Sequence, residues 1–223
     1  MDYRHEWKHE INYPDLLILR QRLRAVAGID KNAEEGKYEI RSLYFDNLSD
    51  KVLREKIDGV NMREKFRIRL YNHDMSSIHL EKKSRCSGLC KKEITELSAG
   101  EAQAIAGGQT GWMMDSNRAL VKELYCKMLH QGLKPRTIVD YTREPFVYGP
   151  GNVRVTLDYN IRTGLRCTDL LDADCITVPL RGNQMILEVK WDSFLPAVIR
   201  DAVQLPGRRT AAFSKYAACR VYG

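Results

Sequence analysis

The chain has 223 residues, of which 43% are hydrophobic and 29% are charged, and its formal net charge is +7 at pH 7. This composition is typical of a folded globular protein, and no run of ~18 apolar residues predicts a membrane-spanning helix. The N-terminal segment lacks the apolar stretch of a signal peptide, so the expected location is cytoplasmic. A basic chain favours phosphorylated ligands, nucleic acid or acidic membranes without selecting one of them.

The first half of the chain predicts strands interrupted by one long helix. Alternating charges predict a strand at 3–11. Leu16, Leu19 and Leu23 recur at helical spacing and predict a helix at 14–27. Further strands are predicted at 38–46, 53–61, 63–71 and 77–85, and a basic connection containing glycine is predicted at 86–93.

The second half predicts helices followed by strands. Ser98 and Glu101 have the spacing of a capping box at the start of a short helix, and 117–131 is predicted as a longer helix. Strands are then predicted at 135–148, 153–162, 176–180 and 184–192, followed by a helix from about 193 to 203 and a last segment at 212–220. With no linker or internal repeat, this order predicts one domain over 1–223, of the α+β class, with a mostly antiparallel sheet that is either open or closed.

Residues 63–71 show the feature with the most chemical content. Phe66, Ile68 and Leu70 alternate with Lys65, Arg67 and Arg69, so one strand face is apolar and the other is cationic. In a single strand this is typical of the solvated side of an antiparallel sheet. Several strands repeat it, however, and the bias towards arginine favours phosphate ligands. The candidate phosphate-binding cations are Lys8, Arg67, Arg69, Lys83, Arg85, Arg143, Arg154, Lys190 and Lys215.

Carboxylates are interspersed among these cations. Glu6, Glu81 and Glu188 would repel a phosphate directly, but they suit a divalent metal that bridges carboxylate and phosphate oxygens. The alternative is a salt bridge that holds a cation in place. Glu188 and Glu6 are predicted as metal ligands, and for Glu81 both interpretations stay open.

The chain resembles the VTC domains, the polyphosphate polymerases of the vacuolar transporter chaperone family within the triphosphate tunnel metalloenzyme superfamily. Its matching segments, in order, are YRHEWKHEI, IRSLYFDN, LREKIDGVNMREKFRIRLYN, HLEKKSR, YTREPF, VRVTLDYNIR, ILEVKWD and FSKY. The resemblance implies a closed eight-stranded antiparallel β-barrel, a tunnel lined by basic side chains, with flanking helices.

The resemblance also implies an activity: transfer of the terminal phosphate of ATP to a growing inorganic polyphosphate chain, with Mn²⁺ or Mg²⁺ as cofactor. By motif, the residues implied to be catalytic are Lys8, Arg67, Arg69, Lys83, Arg143 and Lys215, with Glu188 as the metal-binding glutamate; Lys190 is placed through its neighbour Glu188. Nucleic acid is not an expected partner because no aromatic stacking platform is predicted on the basic faces.

Two other functions stay open at this point. One is hydrolysis of inorganic or nucleoside triphosphate by the same tunnel fold, and the other is binding of polyphosphate without catalysis. The first strand has Glu6, Lys8 and Glu10 where triphosphatases of the superfamily have an E-x-E-x-K pattern. This departure disfavours simple triphosphate hydrolysis.

Overall fold

A computed structural model describes residues 4–86, 89–208 and 212–221. Its strands are β1 (His5–Ile11), β2 (Gly28–Ile29), β3 (Tyr38–Asp46), β4 (Arg63–Tyr71), β5 (Ile78–Cys86), β6 (Leu89–Leu97), β7 (Lys134–Tyr148), β8 (Val153–Thr163), β9 (Val178–Pro179) and β10 (Met185–Trp191). Its α-helices are α1 (Tyr13–Val26), α2 (Lys51–Ile57), α3 (Ala99–Ala106), α4 (Ala119–Gln131), α5 (Ala197–Val203) and α6 (Lys215–Val221). None of the helices in these ranges has the length and apolarity needed to span a membrane.

Hydrogen bonds connect the main strands in the order β1-β10-β8-β7-β3-β4-β5-β6, with β2 beside β7 and β9 beside β8. The pairs β1–β10, β10–β8, β3–β4, β4–β5 and β5–β6 are antiparallel, which confirms the predicted α+β class. Among the described strands, β1 and β6 end this order and do not pair with each other, so the sheet is open. The predicted closed barrel is wrong in this respect, because side-chain alternation determines which face a residue occupies but not whether two outer strand edges meet.

Within the described residues, the chain divides into two compact units. The first unit contains Met1–Glu39, Tyr141–Ile161 and Pro179–Phe213, and the second contains Ile40–Asp140, Arg162–Val178 and Ser214–Gly223. Each unit has a hydrophobic core of its own.

In the first unit, α1 packs on the sheet through the predicted leucine stripe. Leu16, Leu19 and Leu23 are buried with strand residues such as Leu157 and Leu187. The helix begins at a capping box formed by Asn12 and Asp15, which satisfies backbone N–H groups of its first turn. The opposite face of β1, β8 and β10 carries their polar residues.

In the second unit, helices cover one face of β3–β6. Phe66, Ile68 and Leu70 are all at most 2% exposed and pack with Val121 and Leu124 of α4. The apolar side predicted for 63–71 is therefore confirmed. Arg67 and Arg69 have the opposite parity and lie on the other face.

Two predicted elements are wrong. Residues 53–61 were expected to form a strand, but α2 occupies this region, because the buried carboxylate of Asp46 accepts hydrogen bonds from the backbone N–H groups of Val52 and Leu53. The segment 86–93 was expected to be a connection, but β6 begins at Leu89 and pairs with β5 along its whole length. Residues 87–88 of that connection lie outside the described residues.

Candidate functional site

The polar side of β4, β5 and β6 in the second unit brings five cations into neighbouring positions. Lys65 pairs with Lys83 across β4 and β5, and Lys83 pairs with Lys92 across β5 and β6. We call the following set the basic face: Lys65, Arg67, Arg69, Lys83 and Lys92. Like charges directly opposite each other destabilise a sheet, so this row of lysines favours the presence of an anionic ligand.

Glu81 is the carboxylate at the centre of the basic face. It is 3% exposed, it accepts a hydrogen bond from Arg67 Nε at 2.7 Å, and its other oxygen lies 2.8 Å from Lys92 Nζ. Burial raises its pKa, but Arg67, Arg69 and Lys92 outweigh that effect and lower the pKa far below the usual range. Glu81 therefore forms salt bridges with Arg67 and Lys92, as one of the two interpretations of this residue expects.

The pKa of Tyr44 on β3 indicates the electrostatic potential at the basic face. Its hydroxyl accepts a hydrogen bond from Arg67 Nη1 at 2.8 Å, and the side chain is buried. Burial raises the pKa of Tyr44, but the charges of Arg67, Lys65 and Arg69 lower it to about 7. A phenol that ionises near neutral pH lies in a strongly positive field. The basic face therefore has an excess of positive charge even though it includes Glu81.

Arg69 is a buried cation of the basic face. It is 3% exposed, and its Nε donates to Ser42 Oγ at 3.0 Å. Its guanidinium also lies 5.8 Å from the ring centre of Tyr71. Burial raises the pKa of Tyr71, but Arg69 lowers it below the ordinary value for a phenol. Arg69 thus adds to the positive field that acts on Tyr44, Tyr71 and Glu81.

The structure places two further predicted residues in the second unit. Lys215 is the first residue of α6, directly before Tyr216, whose ring stacks on Tyr44 with 5.0 Å between ring centres. Arg85 is exposed on β5, two residues beyond Lys83 on the same face. Arg85 thus extends the polar side of β5, and Lys215 is the sequence neighbour of the residue that stacks on Tyr44.

A second charged cluster lies in the first unit, where Glu6 and Lys8 of β1 face Lys190 and Glu188 of β10. Lys8 Nζ lies 3.0 Å from Glu6 Oε2 and 3.7 Å from Glu188 Oε1. Lys190 Nζ lies 2.7 Å from Glu188 Oε1 and 3.7 Å from Glu6 Oε1. We call these four residues, together with Arg143 and Asp158, the carboxylate cluster. Each carboxylate in the four-residue part has two ammonium groups nearby.

Arg143 connects two acidic residues of this cluster. Its Nε and Nη2 donate to the two oxygens of Asp158 at 2.6 and 2.8 Å, and Nη2 lies 3.4 Å from Glu188 Oε2. Asp158 is completely buried. Burial lowers the pKa of Arg143, but Asp158 raises it well above the ordinary value, so the pair is ionised. No role was assigned to Asp158 from the sequence.

Glu188 is ionised despite being 5% exposed. Burial raises its pKa, whereas Lys190, Lys8 and Arg143 lower it well below the ordinary range. Its negative charge is therefore maintained at neutral pH by surrounding cations.

The carboxylate cluster can supply only part of the ligands that a metal ion needs. In the part of the chain that the structure describes, no three His, Cys, Asp or Glu side chains are grouped as a protein-only metal site. Glu6 and Glu188, however, are neighbouring carboxylates on paired strands. Mg²⁺ is often bound by one or two carboxylates together with substrate phosphates and water. The donor set thus fits a divalent cation that is shared with a phosphate.

Two more basic residues lie on paired strands, Arg154 in the first unit and Lys92 in the second. Arg154 faces Lys190 across β8 and β10, but its guanidinium lies 3.1 Å from the carboxylate of Asp30. Lys92 was assigned to a connection, so its alternation was not considered, and it was missed as part of the basic face. Pairing of β6 with β5 is the information that sequence alone did not provide.

Comparison with known proteins identifies one family. The model of the VTC domain matches residues 3–222, and no curated protein matches the chain. Among solved structures, the PH1819 protein of Pyrococcus horikoshii OT3 is 15% identical with a TM-score of 0.45, covering 90% of this chain and 84% of that one. A Bacillus halodurans protein is 16% identical with a TM-score of 0.49, covering 85% and 80%. The Mimivirus capping enzyme triphosphatase is 12% identical with a TM-score of 0.40, covering 88% and 85%.

Proposed function

The chain belongs to the VTC domain family, and we propose that it is a polyphosphate polymerase, which transfers the terminal phosphate of ATP to a growing inorganic polyphosphate chain. The observation that carries the proposal is the basic face, where five cations lie around the buried carboxylate of Glu81 and three of them, Arg67, Lys65 and Arg69, lower the pKa of Tyr44 to about 7. Such a field suits a ligand with many negative charges.

The basic face binds the phosphate chain in this proposal. Polyphosphate repeats its negative charge along its length, and Lys65, Lys83 and Lys92 repeat positive charge across three strands, with about 4.8 Å between neighbouring strands. Arg67 and Arg69 add guanidinium groups, which match phosphate oxygens well. Phosphoryl transfer depends mostly on positioning and charge stabilisation, so residues of this kind are sufficient for the role.

The carboxylate cluster binds the divalent metal in this proposal. Glu188 and Glu6 would hold Mn²⁺ or Mg²⁺ together with phosphate oxygens, and the metal would neutralise charge on the triphosphate. Lys8, Lys190 and Arg143 would bind phosphate oxygens and orient them. We propose no general base, because the accepting phosphate is already ionised near neutral pH.

The test is incubation of the purified chain with ATP and Mn²⁺, followed by gel electrophoresis and staining for long polyphosphate. Polymer that forms only when the divalent metal is present supports the proposal. Release of phosphate without polymer would instead indicate a triphosphatase, and tight binding of polyphosphate without turnover would indicate a binding module. Either of these results contradicts the proposal.

Variants of two arginines sharpen this test. Arg67→Ala should reduce polymer synthesis roughly 100-fold or more, because a charge-stabilising donor is lost, while Glu81 keeps Lys92 as an ionic partner. Arg200→Ala is the matched control, since Arg200 lies on α5 with a side chain 59% exposed. Circular dichroism would confirm that both variants are folded. Full activity of folded Arg67→Ala would contradict the role given to the basic face.

A further inference from the structure

We propose that Tyr44 is a positioning residue of the basic face and that it takes up a proton when a phosphate chain binds there. This inference rests on the part of the proposed function that assigns phosphate binding to the basic face, and it does not require polymerase activity.

The first argument is the geometry around Arg67. Its Nη1 donates to Tyr44 Oη at 2.8 Å from the β3 side, and its Nε donates to Glu81 Oε2 at 2.7 Å from the β5 side. Two neighbouring strands therefore fix the plane of one guanidinium. The ring of Tyr44 is itself held by stacking on Tyr216 at 5.0 Å. Tyr44 is thus a rigid support for a residue that we expect to contact phosphate.

The second argument is the set of charges around the phenol. Lys65 Nζ lies 5.5 Å and Arg67 Cζ 5.7 Å from the ring centre of Tyr44. The charged groups that act on Tyr44 are Lys65, Arg67 and Arg69 on β4. The other titratable groups around it are Tyr216 on α6, which stacks on its ring, Glu81 on β5, which binds Arg67, and Asp46 on β3, which binds Tyr216. The carboxylate of Asp46 accepts hydrogen bonds from the hydroxyl of Tyr216 and from N–H groups of α2, and these donors stabilise its negative charge.

These charges give Tyr44 two accessible protonation states. Burial raises its pKa, but Arg67, Lys65 and Arg69 lower it to about 7, so phenol and phenolate coexist near neutral pH. The phenolate forms an ion pair with Arg67 and reduces the positive charge of the basic face by one. A bound phosphate chain brings negative charge close to the ring and favours the phenol. The phenolate oxygen then takes one proton from solvent, and no other bond is made or broken.

The expected sign of the pH dependence follows directly. Above pH 7 the phenolate dominates in the free protein, so a phosphate chain must either bind a less positive face or bind with proton uptake. If only the phenol form binds, the apparent affinity falls about tenfold between pH 6 and pH 8. Without Tyr44 ionisation, this part of the pH dependence would be absent.

The test is isothermal titration calorimetry with tripolyphosphate in the absence of divalent metal, in two buffers that differ in ionisation enthalpy. The wild-type chain should take up a larger fraction of a proton at pH 7.5 than Tyr44→Phe, because protonation changes of the ligand itself are common to both proteins. The affinity of Tyr44→Phe should also vary less between pH 6 and pH 8. Tyr13→Phe, which alters a side chain 58% exposed on α1, should behave like the wild type.

Three results would overturn the inference. They are equal proton uptake by wild type and Tyr44→Phe, an equal pH dependence of their affinities, or weaker binding by Tyr44→Phe with proton uptake unchanged, which would indicate a structural role alone. A measurement on the wild type guards against misfolding of the variant: tripolyphosphate should decrease the ultraviolet absorbance of phenolate at pH 7.5, and an unchanged spectrum would contradict the inference. A chain that shows the Tyr44 effect but makes no polymer would contradict the proposed polymerase instead.

Discussion

Lys82 and Lys83 are consecutive lysines on β5 that we expect to have opposite roles. Lys83 lies on the basic face, directly between Lys65 and Lys92 on the two neighbouring strands. Lys82 points to the other face, where its ammonium group contacts Glu123 and lies 3.4 Å from Glu64 and 3.7 Å from Glu93. Replacing each lysine with methionine removes the charge and keeps an aliphatic side chain of similar length.

The magnitudes follow from these surroundings. Lys82→Met leaves three carboxylates without their shared cation, at a position where the lysine side chain is 12% exposed. The cost should lie between that of an exposed ion pair, below about 1 kcal/mol, and that of a buried pair, about 3–5 kcal/mol. We therefore expect the free energy of unfolding to fall by about 1–3 kcal/mol. Lys83→Met should lower it by less than about 1 kcal/mol, because Lys83 lies in a row of like charges and its side chain is only partly buried.

The effects on ligand binding should be reversed. A charge-assisted hydrogen bond contributes about 1.5–3 kcal/mol, so Lys83→Met should weaken tripolyphosphate binding about tenfold or more. Folded Lys82→Met should bind like the wild type. Urea unfolding and calorimetric titration of both variants provide the comparison. The reasoning would be refuted if the two variants lost similar affinity, or if Lys83→Met were as destabilised as Lys82→Met.

Two further predictions concern the carboxylate cluster. Arg143→Ala removes the guanidinium that binds both oxygens of the fully buried Asp158, so the free energy of unfolding measured with urea should fall by about 3–5 kcal/mol; a loss below about 1 kcal/mol would contradict the buried ion pair. Because the pKa of Glu188 is lowered on folding, its contribution to stability is complete above about pH 4.5 and is lost as the pH falls towards its folded pKa. Thermal unfolding between about pH 3 and pH 6 should therefore depend less on pH in Glu188→Gln than in the wild type, and parallel curves would count against this assignment.

The side of the sheet on which a strand residue lies was the feature that the sequence predicted best. Period-two alternation correctly placed Phe66, Ile68 and Leu70 in the core and Arg67 and Arg69 on the opposite face, because the geometry of a strand allows only these two sides. The capping box of Ser98 and Glu101 was also correctly predicted, since it depends on contacts three residues apart.

The errors arose where distant residues decide the outcome. Residues 51–57 are helical because the carboxylate of Asp46 binds their first N–H groups, a contact that the strand-like pattern at 53–61 does not indicate. Lys92 belongs to the basic face only because β6 pairs with β5. Tyr44 lies in a segment that suggested only a strand, and its altered pKa results from cations on the neighbouring strand. Propensity and spacing describe local geometry, whereas these features depend on tertiary contacts.

The division of the chain into two interleaved units limits how it can be produced in parts. Each unit is assembled from three separate segments, and β7 crosses from one unit to the other at residues 140 and 141. Any single truncation point therefore removes part of at least one core, so neither unit can be expressed as a contiguous fragment. During translation, the first unit cannot be completed before Pro179–Phe213 has emerged from the ribosome. The second unit also requires Ser214–Gly223, which is synthesised last. Such late closure of long-range contacts predicts slow folding of the nascent chain and a need for protection from aggregation.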